Sequence, residues 1–536
     1  MPPRAKAATK PLKPKRERAA KPVPTTAQAL GSLLKSARQI MRKDRGLNGD
    51  LDRLPLLTWI MFLKFLDDLE AQREEEEALG GQRFRPAVEA PYRWRDWAAN
   101  PQGITGDELL AFVNDDQAMR PDGSRGPGLF AYLRALTSAD GDDRRDVIAT
   151  VFRGIDNRMR SGYLLRDVID KVGGIHFTVG DELHTLGALY ESMLREMRDA
   201  AGDSGEFYTP RAIVRFMVHV ADPRLGEVVL DPAAGTGGLL VAAFEHLSAQ
   251  VRTVAERRVL QGGSLLGCEP KSLPYLLCQM NLLLHGLDAP RIDPGNALRH
   301  KLTEMGERDR VDVILTNPPF GGEEERGIQG NFPEDRQAAE TALLFLQLIM
   351  RRLRRAQTAA GRPARAAVVV PNGILFGGGV CARIKADLLE SFNLHTVLRL
   401  PEGVFAPYTD IPTNVIFFDT AGPTRDVWFY EQPMPEGRRK YTKTRPLQLE
   451  ELGDCRTWWT NRVEGPQAWR VSGPELIRRD EDGRVLSVNL DLKNPVALEA
   501  VDHRAPGEII ESVIAREREV LTVLDEIRAM LGERAA

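Results

Sequence analysis

The chain has 536 residues, 42% of them hydrophobic, which is too long for one compact core and apolar enough to bury two or three. A formal net charge of -3 provides no global positive field, so DNA contact must rest on local basic faces or on a partner, which argues against a solitary tight DNA binder. Cys268, Cys278, Cys381 and Cys455 form no CxxC pair and the histidines show no ligand-like spacing, which argues against a metal site or a disulfide framework.

A reducing cytoplasm is therefore the expected location. The first residues carry no apolar signal core, and the longest apolar run, Leu56 to Leu66, is short for a membrane span and contains Lys64. Residues 1–26 are rich in Lys, Arg, Pro and Ala and read as a disordered basic tail, either touching phosphates or merely solubilising. Residues 27–200 follow helical periodicity, from AQALGSLLKSARQIMRK through PLLTWIMFLKFLDDLEAQREEEE to DELHTLGALYESMLREMRDA, which predicts an all-helical N-terminal domain. Trp59, Phe62, Phe65 and Leu66 recur at helical spacing and are assigned to its core.

Over residues 201–425 short β-rich runs alternate with helical segments: EVVLDPA, SLLGCEP, VDVILTNPPF, ARAAVVVPNGILF, HTVLRLPEGVF and TNVIFFDT. That alternation predicts an α/β fold with a doubly wound, mostly parallel sheet, whose ligands sit at the C-terminal ends of the strands. Residues 426–504 read as an irregular extension. In residues 505–536, Ile510, Val513, Val520, Leu524, Ile527 and Leu531 share a helix face, suited to a partner or to packing on the chain's own domain.

The strand ends carry the chemistry. EVVLDPAAGTGGLL runs from a strand through Asp231, Ala233, Ala234, Gly235, Thr236 and Gly237 into a helix, where glycine permits positive φ and a close ligand. The spacing is neither GxGxxG nor GxxxxGK[ST], which weakens dinucleotide and phosphate-loop readings. Glu269 in GCEP is placed to accept hydrogen bonds from ribose hydroxyls, and Asn296 in DPGNAL either contacts an adenine ring or closes an Asx turn. Upstream, Gly205, Glu206, Phe207, Tyr208, Thr209 and Pro210 offer a third wall to the same pocket.

VDVILTNPPF ends in Asn317, Pro318, Pro319 and Phe320. The amino nitrogen of a nucleobase is a poor nucleophile because its lone pair is delocalised into the ring. Two acceptors gripping its hydrogens, the Asn317 side-chain oxygen and the Pro318 carbonyl, favour a pyramidal nitrogen aimed at a methyl donor. The prolines stiffen the loop, and Phe320 offers a face to a base swung out of the duplex. Methylation at cytosine carbon 5 calls for a cysteine after proline, and none of the four cysteines follows one.

In the order GEFYTP, DPAAGTGG, GCEP and NPPF, the chain resembles the modification subunit of bacterial type I restriction-modification systems. The likeness extends to LTWIMFLKFLDDLE, MNLLLHG, ETALLFLQLIMRRL, VVVPNGILF, TNVIFF and NLDLKNP. It implies an N6-adenine DNA methyltransferase that binds S-adenosylmethionine through Gly205 to Pro210, Ala233 to Gly237 and Glu269, with Asn317 to Phe320 at the target amine. It also implies double-stranded DNA, a DNA-specificity subunit bound by two copies of this chain, and a nuclease and translocase subunit when the system restricts. An acidic residue is common in such enzymes where Asn296 stands. Cytosine N4 methylation, a protein or RNA amino-methyltransferase, and a non-catalytic DNA scaffold are the alternatives.

Overall fold

The computed structural model describes residues 27–79, 81, 84–100, 102–137, 144–175, 209–406, 409, 411–496 and isolated positions from 507 to 521. The basic tail, the helical run at 181–200 and most of the C-terminal helical segment lie outside them.

The N-terminal domain is built on α1 (Ala27–Met41) and α2 (Asp50–Leu79). From Leu54 to Leu66 the apolar side chains of α2 are nearly all buried, Trp59 and Phe62 completely, so this helix runs through the middle of a bundle rather than along its surface. Lys64, itself buried, is ion-paired with Asp68 one turn on, which makes a charge tolerable inside that run. Pro55 lies in the second turn of α2, where it leaves out one ladder hydrogen bond. Around it pack α3 (Arg144–Arg153), α4 (Gly162–Gly173) and shorter helices. The domain is not wholly helical: Ala118–Met119 and Arg125–Gly126 form a small antiparallel hairpin around Gly123, whose φ is 79°. No helix among the described residues is long and apolar enough to cross a membrane.

The second domain is a nine-stranded sheet: β1 (Val229–Asp231), β2 (Leu265–Cys268), β3 (Arg291–Asp293), β4 (Val313–Thr316), β5 (Arg365–Pro371), β6 (Asn393–Arg399), β7 (Thr413–Asp419), β8 (Asp426–Glu431) and β9 (Ala468–Ser472). Their order is β9-β8-β6-β7-β5-β4-β1-β2-β3. Strands β1 to β5 are mutually parallel, and β7 is antiparallel to both β5 and β6. Side chains alternate between two covered faces: Val229, Val313 and Leu315 face α5 (Arg211–Ala221) and α6 (Gly238–Ser248), whereas Leu230 and Ile314 face the opposite core. That opposite core is covered by α8 (Thr341–Arg352) and α10 (Val380–Ser391), and between them in the chain lies the short α9 (Asn372–Phe376).

The segment after 425, read as irregular, instead supplies β8 and β9 to the same sheet. Strand β8 pairs parallel to β6 and β9 closes the edge antiparallel, with Val427, Phe429 and Tyr430 buried. Two short strands separated by a long segment that includes the helix Gly453–Thr460 carry too little periodicity to stand out in sequence.

The two domains share a core through α7 (Ser272–Leu284), which follows β2. Leu276, Leu277, Met280, Leu283 and Leu284 belong to the same buried cluster as Trp59 and Phe62. Arg73 and Arg144 both reach Asp288 just beyond α7, at 2.9 and 3.3 Å.

Candidate active site

Strand order reverses between β1 and β4, the position where a doubly wound sheet opens a crevice at its C-terminal edge. Asp231 ends β1 there, and Asn317 follows β4.

The loop after β1 is shaped by glycine. Gly235 and Gly237 have φ of 53° and 81°, and a Cβ on Gly237 would stand 2.8 Å from the Cys278 sulfur of α7. The Gly237 N–H closes a turn onto Ala234 O at 2.8 Å, and the Ala234 N–H donates to Cys268 O at 2.9 Å, so the loop is tied to β2. Asn281 of α7 donates to Thr236 O at 3.1 Å. Glu269, buried just past β2, accepts from the Gly235 N–H at 3.0 Å and the Lys271 N–H at 2.8 Å. A carboxylate is thus fixed beside a glycine turn at the head of α6, where among the described residues Gly238 has no neighbour within 4 Å of an added Cβ. That arrangement suits a ligand with a vicinal diol and a cationic tail.

Asp231 is 1% exposed. It accepts from the Thr316 hydroxyl at 2.8 Å and the Ala233 N–H at 3.1 Å. Burial pushes its carboxyl up to about 7, against those two donors, and the neighbouring Glu269 charge adds to the rise. Thr316, fully buried at the end of β4, therefore couples the glycine loop to the strand that delivers Asn317, a link with no signature in the sequence.

Asn317 donates from Nδ2 to the Thr209 hydroxyl at 3.1 Å. Its Oδ1 is buried and has no hydrogen-bond partner among the described residues. The GEFYTP motif thus reaches the site through Thr209, which orients the amide, while Pro210 precedes α5. Gly205, Glu206, Phe207 and Tyr208 lie outside the described residues. Pro318 is buried, and Phe320 meets Phe405 edge to face with centroids 6.1 Å apart. Phe405, 3% exposed, was not singled out in the sequence; its signal is the GVF that follows the end of β6.

Asn296 takes the Asx-turn alternative. Strand β3 closes on Asp293, three residues earlier, and Asn296 Oδ1 accepts the Leu298 N–H at 2.9 Å while Nδ2 points to Glu324 at 3.4 Å. Its oxygen is occupied by an Asx turn. Asp293 is engaged by the Gly295 N–H and by Arg299, and these hold its carboxyl below the usual range against the opposing effect of burial. Among the described residues no cluster of His, Cys, Asp or Glu is suited to a metal ion.

A sheet ordered β3-β2-β1-β4-β5-β7-β6 with β7 reversed, a glycine turn after β1, an acid after β2 and an Asn-Pro-Pro-Phe after β4 together define a class I methyltransferase of the amino-methylating kind. The profile of the N-6 DNA methylase family matches residues 181–497, and that of the HsdM N-terminal domain matches residues 30–172. The type I restriction enzyme EcoEI methylase subunit of Escherichia coli is 44% identical over 518 residues, 95% of this chain and 99% of that protein. A crystal structure of a modification subunit of a putative type I restriction enzyme from Vibrio vulnificus YJ016 superposes with a TM-score of 0.87 at 67% identity, covering 90% of this chain and 100% of that one. A structure from work on complex assembly and conformational transition of the type I R-M system gives 0.67 at 38% identity, with 95% and 99% covered.

The chain belongs to the N-6 DNA methylase family and is the methylase subunit of a type I restriction-modification system, an S-adenosylmethionine-dependent transferase acting on the adenine N6 of DNA.

Proposed function

We propose that S-adenosylmethionine is held over the C-terminal ends of β1 and β2, and that an adenine swung out of the duplex is gripped at the end of β4. Glu269, already oriented by two backbone donors, takes the ribose hydroxyls, and the turn from Ala233 to Gly237 lies against the donor. Gly205 to Pro210 forms the remaining wall. When bound, S-adenosylmethionine supplies an electrophilic methyl carbon on a positively charged sulfur.

One observation carries the target site: the buried Oδ1 of Asn317, unpartnered among the described residues. A buried acceptor without a donor costs about 1–3 kcal/mol, and an amino hydrogen of adenine relieves it. Thr209, accepting from Nδ2, keeps that oxygen turned into the site. The Pro318 carbonyl takes the second amino hydrogen, and two successive prolines stop the loop from turning it away. Phe320, braced by Phe405, faces the base. The amine loses its surplus proton to solvent after transfer, so no general base or covalent enzyme intermediate is invoked.

Partners follow from the family and from the related structure of type I complex assembly. A specificity subunit reads the DNA sequence, two copies of this chain flank it, and a nuclease and translocase subunit joins when the system restricts. The described apolar residues of the C-terminal segment, Ile510, Ile514 and Leu521, are exposed, as a partner-binding helix requires.

The test is Asn317→Ala in the assembled methylase. Methyl transfer to duplex DNA is expected to fall by roughly 100-fold or more, as loss of a preorganised polar contact does, while calorimetric affinity for S-adenosylmethionine stays at the parent value. Product analysis of the parent should return N6-methyladenine. An Asn317→Ala protein that methylates at the parent's rate rules the grip out.

A further inference from the structure

The turn after β5 is held with more structure than its exposed position requires. The Asn372 N–H donates to Pro412 O at 2.9 Å, its Nδ2 to Asp491 at 3.3 Å, and its Oδ1 accepts from Asn414 at 3.1 Å. Beneath the turn lies Lys385 of α10, wholly buried, whose ammonium donates to Leu375 O at 2.9 Å. The same carbonyl accepts the Leu490 N–H at 2.8 Å, and Cys381 donates to Ile374 O at 3.4 Å. A buried lysine satisfied by a carbonyl rather than a carboxylate is costly to keep.

What this support presents is Phe376, 58% exposed at the end of α9. Ile411, 47% exposed, immediately precedes the Pro412 that is bonded to the start of the turn. Beside Phe376 a Cβ on Gly377 would stand 2.8 Å from the Cys381 sulfur, whereas the other glycines of the turn are open. Among the described residues, a Cβ added at Gly373, Gly378 or Gly379 would meet nothing within 4 Å, and of these only Gly379 has a positive φ. At Gly373 and Gly378 neither fold nor backbone demands glycine, so the absent side chains leave room for another molecule's backbone.

The neighbour on this edge is the target site. β5 is hydrogen-bonded to β4 with Val368 opposite Thr316, so the turn stands one strand from Asn317. Swinging a base out unstacks its neighbours, and apolar wedges or aromatic faces offset that loss.

We propose that Phe376, backed by Ile411, packs against the bases flanking the swung-out adenine and holds the duplex open. The inference rests on Asn317 being the grip for the target amine. Lys385 and Cys381 act through the turn, as positioning residues.

Phe376→Ala and Phe376→Leu are to be assayed in the methylase assembled with its specificity subunit. Two duplexes are used, one with the target adenine paired and one with it opposite an abasic site; 2-aminopurine at the target reports extrusion. On the paired duplex Phe376→Ala is expected to slow methyl transfer and reduce the 2-aminopurine signal, by roughly tenfold or more for the loss of a base–aromatic stack. Opposite the abasic site the rate should return close to the parent's, Phe376→Leu should fall between, and cofactor affinity should not move.

Parent-like methylation of the paired duplex by Phe376→Ala, or an equal loss on both duplexes, overturns the proposal. Failure of that variant to assemble would assign the surface to protein docking and overturn it as well. Asn317→Ala, run alongside, is expected to fail on both duplexes. If it stays active while Phe376→Ala discriminates between them, the grip reading falls and the duplex contact survives.

Discussion

Asp231 is a carboxyl within the site held far from its ordinary behaviour. Its carboxyl is raised from 3.8 to about 7, so the folded protein binds a proton that the unfolded chain releases. The sign follows from linkage: this group's stabilisation is complete below the unfolded value, declines as pH rises from about 4, and is lost once pH passes the folded value near 7. Asn at this position keeps an oxygen to accept from Thr316 and Ala233 but has no proton to lose. Asp231→Asn and the parent should therefore unfold at similar temperatures near pH 4, with the variant gaining as pH rises and the gap levelling above pH 7. At about 1.4 kcal/mol for every tenfold change in proton affinity between the two states, the full gap is a few kcal/mol. Paired thermal melts across that range decide it, and a gap that does not vary with pH means Asp231 is ionised throughout.

At the scale of elements, α7 connects the helical domain to the glycine loop. One face of it lies in the N-terminal core through Leu276, Leu277, Met280, Leu283 and Leu284, while Cys278 packs under Gly237 and Asn281 holds Thr236 O. Met280→Ala empties a fully buried position in the N-terminal core, at a cost of about 2–5 kcal/mol. Because the same helix seats the loop, affinity for S-adenosylmethionine should weaken several-fold although no ligand-facing atom has changed. Denaturant unfolding with calorimetric titration checks both, and an unchanged affinity would mean the two faces of α7 are independent. Such through-space links are what the linear pattern does not reveal. The glycine turn, Glu269 and the Asn-Pro-Pro-Phe loop are legible because each is a contiguous run whose backbone demands are local. The bonds that aim them are not: Thr316 reaches Asp231 across 85 positions, and Asn317 reaches Thr209 across 108. For Asn296 the local Asx turn, one of the two alternatives its sequence context leaves open, is the one formed, with the strand stopping at Asp293. Strands β8 and β9 have no clear signature because two brief strands far apart in the chain look irregular until the sheet pairs them.

At the scale of the whole molecule, net charge limits how this chain meets DNA. A total of -3 offers no field to condense against phosphates, and binding that depends on neutralising many phosphates is correspondingly weak. The target grip and Phe376 engage only a base already leaving the stack, so they add little to first encounter. The chain alone should bind duplex DNA no more tightly than about 10⁻⁴–10⁻⁶ M at physiological salt, the range of non-specific complexes. It should also show a shallow fall of log affinity with log salt, because few counterions are released. Once the specificity subunit holds the duplex, affinity should rise by several orders of magnitude and the salt slope should steepen with each phosphate the partner neutralises. Fluorescence anisotropy titrations over a salt series, with and without that subunit, measure both quantities. A nanomolar, steeply salt-dependent complex formed by this chain alone would mean that a local basic face outweighs the net charge, and that sequence-independent grip on the duplex belongs to the methylase itself.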